Sequence, residues 1–345
     1  MTKSKYLFKI FFCFFICFSC KNEKGDFIDS ASVFAKSDTL RAIILPNVLE
    51  SRSVITPIYY SSHGLICCTD INNKVVQLID SISGKATNTK GRIGRGPEEM
   101  LSPVGMSYNL KSNKFFVWDY YRNIMVKFLI SDSIMQIEQD SIGHDLLKIK
   151  SITDSTYVAL SVFPNQSIGI INNKGEYLDK LLHKVINDDD LDYERHLFSS
   201  SITLSYDKKY VAAADGHFPW IALYTINNNK LILKWKKMVF KSNYYIRNKW
   251  LKIDEGQILG FENVKMTDKY IYVCTQGEKY RNRSNRTEVI RQKHTYLLTF
   301  NLDGELINSS VLDKFFRVFD VTPDDKYLYA VTDDPDLYVI KYTLK

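Results

Sequence analysis

The stretch "GRIGRGPEEM" at 91–100 holds three glycines, two arginines and two glutamates. A phosphate cradle needs Gly-x-x-x-x-Gly-Lys-Ser/Thr, and a dinucleotide site needs Gly-x-Gly-x-x-Gly opening a helix. Gly91, Gly94 and Gly96 fit neither spacing, and no Lys-Ser/Thr follows. The residues after Pro97 carry no helical apolar stripe, and Pro103 cuts the segment short. The glycines therefore predict a turn. Two roles are open to Arg92, Arg95, Glu98 and Glu99. They can pair with one another, or the arginines can offer bidentate contacts to an anionic ligand such as an acidic sugar.

Other constellations carry less. His217 and Trp220 lie with Asp215 in "DGHFPW", a candidate ligand contact within a predicted hairpin loop. The segment "EKYRNRSNRTEVIRQK" at 278–293 puts Arg281, Arg283 and Arg286 among six basic residues against two glutamates, on a loop held by a hairpin. Acidic "NDDDLDYE" at 187–194 lacks the glycine and terminal glutamate of an EF-hand loop. The six histidines are scattered, and neither Gly-x-Ser-x-Gly nor His-Glu-x-x-His occurs. No catalytic residue, metal or cofactor is expected. Cys67 and Cys68 are strand neighbours that point to opposite faces, so they and Cys274 read as small buried residues.

The elements that hold these residues repeat. "GLICCTDINNKVVQLID" begins a pattern of strand, Asp, polar turn and strand. Copies recur at 114–132, 155–178, 209–232, 269–307 (with the basic insertion) and 326–344. Short apolar strands precede most of them, such as "GMSYNL", "LLKIKSIT" and "FENVKMT". Outer strands follow several after turns such as Asn172-Asn173-Lys174-Gly175. Tyr (22) and Phe (20) outnumber Gly (15) and Pro (8), a composition that favours half-buried strands. Six units of four antiparallel strands predict an all-β fold, a six-bladed β-propeller. A pair of β-sandwiches and a seven-bladed ring are the alternatives. The sixth copy ends at Lys345 without an outer strand, so "TLRAIIL" at 39–45 is expected to close the ring.

"IGRGPEE" at 93–99 resembles the Gly-x-Gly-Pro-Gly-Glu loop of six-bladed, TolB-like propeller lipoproteins of Bacteroidetes, with Glu98 where that loop usually has a glycine. "CCTDINNKVVQLID" is similar to an NHL-type repeat. The resemblance implies a fold and a place in the cell envelope, and no reaction.

The first residues belong to another kind of segment. Lys3, Lys5 and Lys9 precede the apolar run "FFCFFICFSC", which is half the length of a membrane span. The order resembles a lipoprotein signal with Cys20 as the lipid-bearing residue; a plain N-terminal membrane anchor is the alternative. The expected layout is a signal at 1–20, a tether at 21–36 and a propeller at 37–345. Subtracting those three lysines from the formal +7 leaves +4, too little to point to nucleic acid. The expected protein is a non-catalytic lipoprotein of the cell envelope, anchored at the outer membrane by its lipid, that binds a glycan fragment or partner protein. The alternative is a carbohydrate-active lyase or hydrolase with its site in the central channel, marked by titratable side chains converging there. Mass spectrometry of the mature N-terminus should find an acylated Cys20; an unmodified terminus at another residue would overturn that assignment.

Overall fold

The computed structural model describes residues 27–49, 58–68, 74–96, 99–142, 146–161, 167–182, 200–254, 256–261, 263–277, 295–316, 318–332 and 336–344. The strands form a closed ring of six sheets. Blade one comprises Ile58–Ser61, Gly64–Cys68, Val76–Ile79 and Ala86–Lys90. Blade two runs through Pro103–Asn109, Lys114–Asp119, Ile124–Ile130 and Ile134–Ser141, and blade three through Leu146–Ser151, Thr156–Ser161, Ser167–Asn172 and Tyr177–Leu182. Blade four holds Ser200–Leu204, Tyr210–Asp215, Trp220–Asn227 and Lys230–Met238. Blade five holds Asn263–Met266, Tyr270–Thr275, Thr295–Asn301 and Leu306–Leu312. Phe319–Val321, Tyr327–Thr332 and Tyr338–Thr343 make three strands of blade six. The innermost strands touch in sequence around the axis, and that of blade six meets that of blade one.

The second strands read as unbroken apolar runs because both faces of each blade are covered. In "KFFVWD", Phe115 and Val117 pack against blade one, while Phe116 and Trp118 pack against blade three. Alternation along a strand thus sends successive side chains to opposite neighbours. Six apolar clusters result, one at each blade interface.

The ring is closed by the N-terminal strand, as the sequence predicts, with a shift in its bounds. Ile43–Val48 pairs antiparallel with Tyr338–Thr343 and becomes the outer strand of blade six. Asp38–Leu40 instead adds a parallel fifth strand to blade five. The pairing of Ile43–Val48 is irregular between Ile44 and Val48, where Pro46 has no N–H to give. Leu45 lies in the interface of blades six and one. Asn47 hooks the same strand to blade one, its amide Nδ2 donating to Ser83 O at 2.7 Å.

Part of the segment expected as a tether is folded. Asp29 caps the helix Ser30–Lys36 through the N–H groups of Ala31 and Ser32. Its Phe34 ring packs on Phe240 and Tyr296. A further hairpin, Tyr244–Arg247 with Trp250–Ile253, interrupts the connection from blade four to blade five. It turns at Asn248 and Lys249, both with positive φ.

Removing residues 43–48 leaves an open sheet edge on blade six and should lower the melting temperature and produce aggregation. Leu45→Ala alone should cost roughly 2–4 kcal/mol in chemical unfolding. A truncated protein that stays monomeric with an unchanged melting temperature would refute this closure.

Candidate binding sites at the two ends of the channel

The connections between blades and the loops between second and third strands share one face of the ring, and the turns between first and second strands lie on the other. The loop 91–102 belongs to the first face. Arg92–Ile93 pairs parallel with Glu99–Met100, and Gly94 N donates to Met100 O at 3.0 Å. The Glu99 carboxylate accepts from Gly96 N at 2.7 Å, closing the loop on itself. Gly91 has φ +79°, and a Cβ there would press on Met100 and Val75.

Blade two clamps this loop. Buried Asp119 accepts from Leu101 N at 2.7 Å and Ser102 N at 3.0 Å. The Arg122 guanidinium donates to the carbonyls of Gly96 and Glu99. The loop therefore uses its own amides and carbonyls on protein partners, as a structural turn does. Arg92 and Arg95 remain exposed on it, and among the described residues no ion pair joins either to Glu99. Beside it lies the loop at the end of the second strand of blade two, where Tyr120 N donates to Ser102 O at 3.0 Å. Tyr121 there is 72% exposed and Tyr120 47%, with their ring centroids 5.6 Å apart. Leu101 and Val104 extend the exposed apolar surface.

The other candidates do not join them. His217 is exposed in the blade-four loop, two blades away around the ring, and its backbone N–H donates to Asp215 at 2.9 Å. Trp220 is 2% exposed within the interface of blades three and four, so its ring packs in the core rather than facing a ligand. Asp215 is held by the N–H groups of Phe218 and His217 and by the Ser200 hydroxyl; burial nonetheless pushes its carboxyl above the ordinary range. Gly260 passes so close to Asp215 O and Phe218 O that no side chain fits. Glu98, Arg281, Arg283, Arg286, Cys20 and the acidic 187–194 stretch lie outside the described residues. Cys67 and Cys274 are buried. Among the described residues no group of His, Cys, Asp or Glu could hold a metal ion, and no helix is long and apolar enough to cross a membrane.

At the opposite end of the channel lies a cluster that sequence reading missed. A cavity with about 40 Å³ of space for water is lined by Lys150, Lys208 and Lys265, by Tyr59 and Tyr206, and by one carboxylate, Asp320. Lys265 Nζ pairs with Asp320 Oδ1 at 3.1 Å and sits 4.2 Å from the centre of the Tyr59 ring. The other Asp320 oxygen accepts from Tyr60 N at 2.8 Å. Lys150 Nζ donates to Tyr59 Oη at 3.1 Å and to Met106 O. Among the described residues Lys208 Nζ hydrogen-bonds to Tyr108 O alone, at 3.4 Å. Burial, with repulsion from Lys265 and Lys148, holds the Lys150 ammonium well below the usual lysine range despite Asp320. Burial brings Lys208 down to about 8, against the opposing pull of Asp320, Asp268 and Asp207. Each lysine sits on a different blade, at 58-residue and 57-residue separations that carry no local motif.

Ring closure, blade count and strand order define a six-bladed β-propeller. The chain belongs to the TolB-like six-bladed propeller family, whose model matches residues 60–324. Two solved structures share the fold. A protein of Bacteroides fragilis assigned as exported superposes with a TM-score of 0.59 at 11% identity, over 92% of this chain and 97% of its own. A member of the DUF4221 family from Bacteroides vulgatus gives a TM-score of 0.53 at 11% identity, over 90% and 97%. No curated protein sequence matches the chain.

The depressed Lys208 sets a pH dependence. Unfolded, this lysine keeps its proton to about pH 10.4, whereas folded it releases it near 8. Between those values the unfolded chain binds more protons, so stability climbs with pH and then levels off. The gain should reach roughly 1–3 kcal/mol in wild type relative to Lys208→Met, read by denaturant unfolding at pH 7.5 and pH 10. Parallel curves for the two proteins would contradict the assignment.

Proposed function

We propose that this protein is an exported, lipid-anchored propeller of the cell envelope that binds an acidic glycan fragment without transforming it. The patch on the inter-blade face is the binding surface, and one observation carries the reading. Exposed Arg92 and Arg95 stand on a rigid loop beside the exposed rings of Tyr120 and Tyr121. Arginine forks match carboxylates bidentately, and flat aromatic rings offer apolar faces to sugar rings at little cost in side-chain entropy. Binding sites favour such residues on loops fixed by a firm frame. Export is supported by the first twenty residues and by the assignment of the Bacteroides fragilis neighbour as exported. Cys20 is then the residue that carries the lipid and tethers the ring to the outer membrane.

Titratable groups do converge in the channel, the feature expected of an enzyme. Their kind argues against a hydrolase. Glycoside hydrolysis ordinarily uses two carboxylates flanking the bond. Asp320 is the one carboxylate lining this cavity, and both its oxygens are engaged.

A panel of uronate-containing oligosaccharides and their neutral counterparts, titrated against the purified protein, tests the proposal. An acidic member should bind in preference to its neutral counterpart. Arg92→Lys with Arg95→Lys should weaken it about tenfold or more while leaving the melting temperature unchanged. Equal binding of acidic and neutral sugars, wild-type affinity in the double variant, or retention of a protein partner alone would overturn it.

A further inference from the structure

Three lysines from three blades surround a cavity that holds a single carboxylate, at the end of the channel away from the glycan surface. Such a surplus of positive charge, half-buried in the channel, is costly unless something opposes it. Lys265 has its counter-ion in Asp320. Among the described residues Lys150 and Lys208 have none, and lean on the neutral oxygens of Tyr59, Met106 and Tyr108. The carboxylates of Asp207, next to Lys208 in the chain, and of Asp268, which acts on it through space, are otherwise used. Asp207 pairs with exposed Lys209 at 2.9 Å, and Asp268 accepts from Asp207 N at 2.8 Å. The nearby hydroxyl of Tyr206 donates to Val321 O at 2.6 Å, which fixes that wall of the cavity. The site is preformed by the inner strands, and its space of about 40 Å³ accommodates roughly three water molecules.

We propose that this cavity binds a small oxyanion, the carboxylate or phosphate group of a solute or of a larger ligand's terminus, between Lys150 and Lys208. The anion replaces cavity water, accepts from both ammonium groups and supplies the charge that the fold omits. Asp320 keeps Lys265 out of the contact and limits the site to one small anionic group. The depressed lysines support this reading, because an anion makes their charged forms easier to hold and so draws in protons as it binds.

Isothermal titration of the purified protein at pH 8 with sodium phosphate and with sodium acetate, in a constant chloride background, provides the test. At least one should bind with a dissociation constant in the low-millimolar range or tighter. Repeating the titration in buffers of different ionisation heat should show proton uptake. Phosphate alone, acetate alone or both would support the site and identify the group it takes. Lys150→Met and Lys208→Met should each weaken binding tenfold or more, and Lys208→Arg should retain it. Lys209→Met removes the same charge from the exposed neighbouring position and should change nothing. If Lys150→Met does not fold, the contrast among Lys208→Met, Lys208→Arg and Lys209→Met decides. No detectable binding of either anion up to about 50 mM, an affinity weaker than roughly 2 kcal/mol, or equal binding by all variants, would overturn the proposal. Because the glycan surface lies at the other end of the channel, failure of one site leaves the other intact.

Discussion

Every blade of this ring is a thin sheet that cannot cover its own two faces. Each face is buried only by the next blade, so the six apolar clusters exist only if the circle is complete. The pairing of Ile43–Val48 with Tyr338–Thr343 is the contact on which this depends. It finishes the sheet of blade six, places Leu45 in the last interface, and through Asn47 fastens blade six to the turn of blade one. A lost methyl group elsewhere weakens one interface. A lost closing strand exposes a sheet edge and loosens the interfaces on either side.

The closed ring also separates two electrostatic environments. On the inter-blade face, charges sit on the surface: Arg92 and Arg95 project from a loop whose backbone is already satisfied. Solvent screens them, so they can meet a large charged ligand without a standing cost to the fold. At the other end, Lys150 and Lys208 are half-buried among tyrosines and backbone carbonyls, and the fold carries the cost of that partial burial. An exposed patch suits recognition of a polymer, and an enclosed one suits a small group that must shed water to enter.

The repeat was legible because its punctuation is local. Asn172 and Asn301 each accept from two backbone N–H groups and precede Gly175 and Gly304, so the outer turns of blades three and five can be read as short phrases. Asp119 and Asp215 mark strand ends because Asp119 holds the loop that leads into its blade and Asp215 caps the loop beyond it. The inner strands of blades two to six were visible as apolar runs, whereas that of blade one, Ile58–Ser61, was not picked out. The same local reading could not see Arg122, whose role is set by carbonyls more than twenty residues earlier. Nor could it show that Trp220 faces the core, since only the strand's register decides its direction. The lysine cavity was least accessible of all. Its members are brought together by ring geometry alone, and each looks like an ordinary polar residue in its own strand.

The closing strand has a consequence for the order in which the molecule is made. Residues 43–48 are synthesised long before their partner strand, 338–343. The sheet of blade six therefore cannot assemble during most of translation, and the first and last interfaces stay open until it does. Contacts of such sequence separation form slowly, because a long loop must close before they return any stabilisation. A chain built this way has its largest commitment to the native state deferred until that partner strand is made. That delay keeps the ring unlocked, and its blade edges open to other contacts, through most of the chain's synthesis.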